Sequence, residues 1–136
     1  IVLPINYSDE FRQKVKWAVF VAKIFGSRIH ILKVKEANSE IGKKINAVTK
    51  QIKEIFEKNS INYIESTTKT SDNFAEQVLR YSVANEIDLI MIMTQKQEFT
   101  PSFLLGPWDE KMMFNKSQIP VMCVNPRQLS YYVIGL

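Results

Sequence analysis

The chain has 136 residues and a single cysteine, Cys123, so no disulfide can form within it, and a reducing compartment suits it. It has one histidine, His30, and no Cys, His, Asp or Glu cluster at metal-ligand spacing. Neither a Ser-His-Asp nor a Cys-His arrangement nor a pair of matched carboxylates stands out, so a hydrolytic centre has no framework. Four glycines and five prolines are too few for a collagen-like or low-complexity chain. Apolar runs such as Leu-Ile-Met-Ile-Met at 89–93 fall far short of the ~20 residues that a membrane helix needs. No segment has the charged start, apolar middle and small-residue cleavage site of a signal peptide. The chain opens on Ile1, already inside an apolar run, and reads as a processed chain or a piece of a longer protein. Cytoplasm is the expected location, and neither membrane, metal nor catalysis is expected.

What is present suits one globular domain: 46% of residues are hydrophobic and 24% charged. The net charge of +4 raises the question of nucleic acid. Its distribution argues against that partner. Basic residues are densest over 33–58, where Glu36, Glu40, Glu54 and Glu57 interleave with them, as on a solvated helix face. No recognition motif or aromatic-basic platform accompanies them.

Short apolar runs alternate with amphipathic stretches. Ile-Val-Leu-Pro-Ile at 1–5 reads as a strand, closed by Asn6-Tyr7-Ser8-Asp9. Ser8 suits a helix cap, and Asp9 and Glu10 suit the positive helix N-terminus. Phe11, Val15, Ala18, Ala22 and Phe25 then recur at helical spacing, and Gly26 supplies the stop. Residues 28–34 form a β-rich run. Ile41, Ile45, Val48, Ile52 and Ile55 line one face of a second helix that ends at Asn59-Ser60. The pattern lasts only about two heptads, which favours packing on a sheet over a coiled coil. Residues 61–68 read as a third strand. A third helix, capped by Ser71 or Asp72, buries Phe74, Val78, Leu79 and Tyr81. The nearly all-apolar stretch 87–93 suits a strand covered on both faces. After a polar loop at 94–102, Pro107 opens a fourth helix that runs to about Lys116. Pro120, Val121, Met122, Cys123 and Val124 form a fifth strand. This alternation predicts an α/β domain: a parallel sheet with helices on both faces, joined by right-handed crossovers.

Several of these segments resemble the universal stress protein family. Asp88-Leu-Ile-Met-Ile-Met93, Leu104-Leu-Gly106 and Lys111 to Val121 are similar to its carboxyl-terminal half. The start, Ile1-Val-Leu-Pro-Ile-Asn6-Tyr-Ser8, resembles its opening strand and turn, and Phe74-Ala-Glu-Gln-Val-Leu79 its third helix. The resemblance covers 1 to about 125 and implies a three-layer α/β/α, Rossmann-like domain with five strands in the order 3-2-1-4-5. It divides the chain into a domain at 1–126 and a tail or further segment at 127–136. Family members often pair through the last strand, which implies a homodimer through Pro120 to Val124, or a tandem second domain.

In members that bind ATP, a Gly-x2-Gly-x9-Gly-Ser/Thr motif follows the fourth strand. The first glycines let backbone amides approach phosphates, and the last pair places them at a helix N-terminus. Such a site sits where the strand order reverses. Counted back from Gly106, the two earlier glycine positions are Met93 and Lys96, and the hydroxyl position is Pro107. The acid that usually ends the first strand is Asn6. Only Gly106 survives. The resemblance with this departure implies a non-catalytic regulatory or interaction domain that needs no cofactor. In the alternative, ATP or AMP binds an altered site made by Asn6, Lys96, Gly106 and Pro107, with slow hydrolysis at most.

Of the remaining residues, His30 alternates with Ile29 and Ile31 and reads as a hydrogen-bonded core residue. Cys123 reads as an inert buried thiol, and Trp108 as helix-to-core packing. The tail ends in Tyr-Tyr-Val-Ile-Gly-Leu at 131–136, an apolar, β-prone stretch that is a liability if exposed. Pairing with a partner chain, folding back and leading into a further segment all remain open for it.

Overall fold

The computed structural model describes residues 1–6, 11–70, 72–94 and 107–126. Nine elements alternate along them: β1 (Val2–Ile5), α1 (Phe11–Phe25), β2 (Ile29–Lys33), α2 (Ser39–Lys58), β3 (Tyr63–Thr67), α3 (Phe74–Ala84), β4 (Ile90–Met93), α4 (Pro107–Met113) and β5 (Val121–Val124). The strands form one parallel sheet in the order β3-β2-β1-β4-β5, as the resemblance implies. β1 and β4 are buried along their whole length, which explains why both read as unbroken apolar runs.

Two apolar layers flank the sheet. On one face Leu3, Ile5, Ile31 and Met91 meet Val15, Ala18 and Ala22 of α1 and Ile45, Ile52 and Phe56 of α2. On the other, Val2, Leu32, Ile90 and Ile92 meet Ala75 and Val78 of α3 and Met112 of α4. The alternation of strand side chains sets this division, because neighbours in a strand point to opposite faces.

The helix signals hold in part. Gly26 adopts φ +61°, and the amide of Ser27 returns to the Ala22 carbonyl at 2.9 Å, closing α1 as expected of a glycine stop. Phe25, expected on the buried face, is 75% exposed because it lies in the last turn, beyond the sheet contact. Asn38 caps α2, its side chain accepting from the amides of Glu40 and Ile41. The buried face of α2 is Ile45, Thr49, Ile52 and Phe56, so Val48 and Ile55 are only half-buried. Thr49 fits there because its hydroxyl donates to the Ile45 carbonyl at 2.8 Å. The cap expected of Asp72 or Ser71 is not found at Asp72, and Ser71 is outside the described residues. Asn73 holds the cap position of α3 in a left-handed conformation without a side-chain cap bond. Gln77 instead ties the preceding turn to the helix, accepting from the amides of Lys69 and Thr70 and donating to the carbonyls of Thr70 and Asp72.

β3 and β4 are shorter than the runs at 61–68 and 87–93, and α4 stops at Met113 rather than near Lys116. Asn115 explains that early end: its side chain bonds the carbonyls of Met112 and Ile119 and the amide of Ile119, turning the chain toward β5. The cap expected of Ser8, the acidic pair Asp9 and Glu10, most of the loop at 94–102 and the tail all lie outside the described residues.

Phe56 is fully buried against Tyr63 in the α2 layer. Truncation by Phe56→Ala is expected to cost about 3–5 kcal/mol in urea unfolding; a loss below about 1 kcal/mol would contradict this packing.

Candidate functional site at the carboxyl edge of the sheet

The strand order reverses between β1 and β4, the place where open parallel sheets leave a crevice beyond their carboxyl ends. A proline shapes it. β1 pairs with β2 over four residues, but with β4 only at Val2↔Ile90. Val2 donates to the Leu89 carbonyl at 2.9 Å, and two residues later the same side of the strand is Pro4, which has no amide hydrogen. The β1–β4 ladder therefore cannot continue toward the carboxyl edge.

The Pro4 carbonyl is taken by a side chain instead. Lys14, in the first half of α1, is 6% exposed and donates from Nζ to that carbonyl at 2.6 Å. No carboxylate among the described residues pairs with it, and burial alone lowers its pKa to about 8. At pH 7 it is thus a buried cation, held among the described residues by the Pro4 carbonyl. Sequence reasoning missed this residue. Its signal was present, since Lys14 falls between Phe11 and Ala18 on the arc that carries Val15 and Ala22.

Of the four residues named for a phosphate site, two lie in described segments. Asn6 follows β1 and is half-buried. Pro107 is the first residue of α4 and is exposed. Lys96 and Gly106 lie outside the described residues. Met93, at the first glycine position, closes β4 and is 9% exposed. Just beyond it, Thr94 is fixed to β5: its amide donates to the Val124 carbonyl at 3.0 Å and its hydroxyl to Asn125 Oδ1 at 2.9 Å.

The other singled-out residues sit elsewhere. His30 Nδ1 shares a 2.9 Å hydrogen bond with the Tyr81 hydroxyl, which also meets Ser66 Oγ at 3.2 Å. Burial, then the nearby amino terminus and Arg28, lower its pKa, which keeps the ring neutral at pH 7. The group ties β2, β3 and α3 together as an interior polar network. Cys123 is half-buried rather than buried, because β5 is an edge strand; burial and then Asp109 raise its thiol pKa, so it is a poor nucleophile. Trp108 stacks on Phe74 with centroids 5.4 Å apart and planes at 12°, the packing role expected of it. Among the described residues, no three His, Cys, Asp or Glu side chains gather to hold a metal ion. No described helix is long and apolar enough to cross a membrane.

Order, direction and layering define a three-layer α/β/α domain of Rossmann-like type. Two solved universal stress proteins share it. The one from Archaeoglobus fulgidus superposes with a TM-score of 0.74 at 15% identity, over 90% of this chain and 95% of that one. A universal stress protein family member from Burkholderia pseudomallei gives 0.64 at 12% identity, over 93% and 94%. No protein-family model and no curated protein matches the sequence. The shared property is the fold.

The Lys14 pKa makes stability depend on pH in a defined direction. In the unfolded chain the ammonium titrates near 10.5, above its folded value of about 8. Between those values the unfolded state holds the proton more tightly, so raising the pH favours the folded state. The gap corresponds to about 3 kcal/mol, partly offset by the bond to Pro4. Wild-type protein is therefore expected to gain stability from pH 8 to 10.5 relative to Lys14→Met. Parallel urea midpoints for the two proteins across that range would refute the assignment.

Proposed function

We propose that this chain is a universal stress protein-like regulatory or interaction domain, non-catalytic and cytoplasmic, that does not depend on tight ATP binding. One observation carries the reading: Pro107 stands at the first position of α4, where a phosphate would need an amide donor. Met93 supports it, since a buried methionine ends β4 where close backbone approach would call for glycine. The Lys14–Pro4 bond supports it further, because the chain already supplies the polar partner for the carbonyl left free at the crevice.

The partner in this reading is a second copy of the chain, paired through β5. That strand is the sheet edge, and Val121, Met122 and Cys123 on it are half-buried. Strand pairing across a two-fold axis would satisfy its open backbone groups. The alternative reading, an altered ATP or AMP site, draws on the buried cation Lys14, which has donors beyond the one given to Pro4.

Calorimetric titration with ATP and AMP, with and without Mg²⁺, separates the two. Dissociation constants weaker than ~100 µM, about 5.5 kcal/mol of binding, are expected. Tighter binding would sink the proposal. Light scattering at micromolar concentration is expected to give twice the chain mass; a one-chain mass would remove the β5 interface.

A further inference from the structure

The positive charge of this chain is concentrated in one stretch. Residues 11–35 hold seven Lys or Arg and no Asp or Glu, whereas the rest of the chain carries eleven bases against fourteen acids. α1 is the helix of that stretch. It packs on the sheet through Val15, Ala18 and Ala22, with Lys14 buried beside them, so its opposite arc is a ridge turned to solvent.

The ridge is sorted by chemistry. Arg12, Lys16 and Lys23, at i, i+4 and i+11, are exposed along one arc. Among the described residues no carboxylate pairs with any of the three. Lys23 fixes which side this is: its Nζ donates to Asn59 Oδ1 at 2.9 Å, so the cations border α2. Beyond them lie Trp17, Phe20 and Ile24, at i, i+3 and i+7, which are 44%, 55% and 59% exposed. Trp17 and Phe20 meet edge to face with centroids 5.9 Å apart, so this is one strip rather than scattered side chains.

Charge then selects the occupant. Cations without carboxylates beside an apolar strip call for a partner that brings negative charge and an apolar layer to the same face. A second copy brings the same acid-free helix and no countercharge. A headgroup layer that contains anionic lipids supplies both: phosphates for the cations, and an acyl boundary that favours Trp, Phe and Ile. It also suits a ridge, because a flat, deformable surface needs no complementary groove.

We propose that the solvent face of α1 is a peripheral docking surface for an anionic membrane. Trp17, Phe20 and Ile24 enter the headgroup region, and Arg12, Lys16 and Lys23 lie against lipid phosphates. The expectation of no membrane rested on the lack of spanning and signal segments, and peripheral binding requires neither. The proposal goes beyond the functional reading above and does not depend on nucleotide or on β5 pairing.

The test is sedimentation of the full chain with phosphatidylcholine vesicles, with and without phosphatidylglycerol. The protein is expected to sediment with the anionic vesicles, less so at high salt, and to stay in solution with the neutral ones. Lys16→Gln combined with Lys23→Gln should weaken partitioning by about tenfold or more, and Phe20→Ser combined with Ile24→Ser should also weaken it. All these side chains are exposed, so far-UV circular dichroism of the variants should match that of the wild type. In Trp108→Phe protein, Trp17 emission should move to shorter wavelength when anionic vesicles are added. A chain that stays in solution with anionic vesicles would overturn the proposal, as would folded variants that sediment like the wild type. Retention of a single-stranded oligonucleotide without vesicle binding would assign the ridge to nucleic acid instead.

Discussion

The hydrogen bond from Lys14 to the Pro4 carbonyl is the constraint around which the carboxyl edge of this domain is arranged. Pro4 sits in the central strand, where a missing amide interrupts pairing with β4 after one register pair. The carbonyl on that side would be left buried, at a cost comparable to a lost hydrogen bond. Lys14 satisfies it at 2.6 Å and brings a charge into the interior. A buried ammonium with no carboxylate partner among the described residues is an expensive way to satisfy one carbonyl. Burial lowers the pKa of Lys14 but leaves it charged near neutrality.

The rest of the fold encloses this edge. β1 lies between β2 and β4, and both of its faces are covered, by α1 and α2 on one side and α3 and α4 on the other. Three polar groups that enter the layers elsewhere have partners within the fold: Thr49 the Ile45 carbonyl, Ser82 the Val78 carbonyl, and His30 the Tyr81 hydroxyl. Glu65 accepts from both Lys33 and Lys53; these hydrogen bonds, and then the two positive charges, lower its pKa, and the Lys53 bond ties α2 to the sheet. The dense basic stretch at 33–58 is in part this structural network.

Much of the fold was legible because strand–helix alternation and end-of-strand residues are local signals. The buried runs of β1 and β4, the Gly26 stop and Pro107 at the start of α4 were all readable in this way. Errors arose where tertiary context decides. Phe25 keeps the helical period but falls past the end of the sheet, so it is exposed. Asn115 ends α4 through bonds to Met112 and Ile119 that no propensity encodes. The cap position of α3 falls on Asn73, in a left-handed conformation with no side-chain cap bond, which no capping preference encodes. At the candidate site, Asn6 and Pro107 came from a motif comparison, whereas Lys14 matched no motif. Its place on the apolar arc of α1 could have revealed it, but a lysine there reads at first as a break in the pattern.

In the proposed reading, the carboxyl edge between β1 and β4 relies on the Lys14–Pro4 bond rather than on a bound nucleotide. Native mass spectrometry of the freshly purified protein tests this most directly. The expected spectrum shows the polypeptide mass, alone or doubled, with no added mass. An adduct with the mass of ATP or AMP, lost when Lys14 is replaced by Met, would contradict the account.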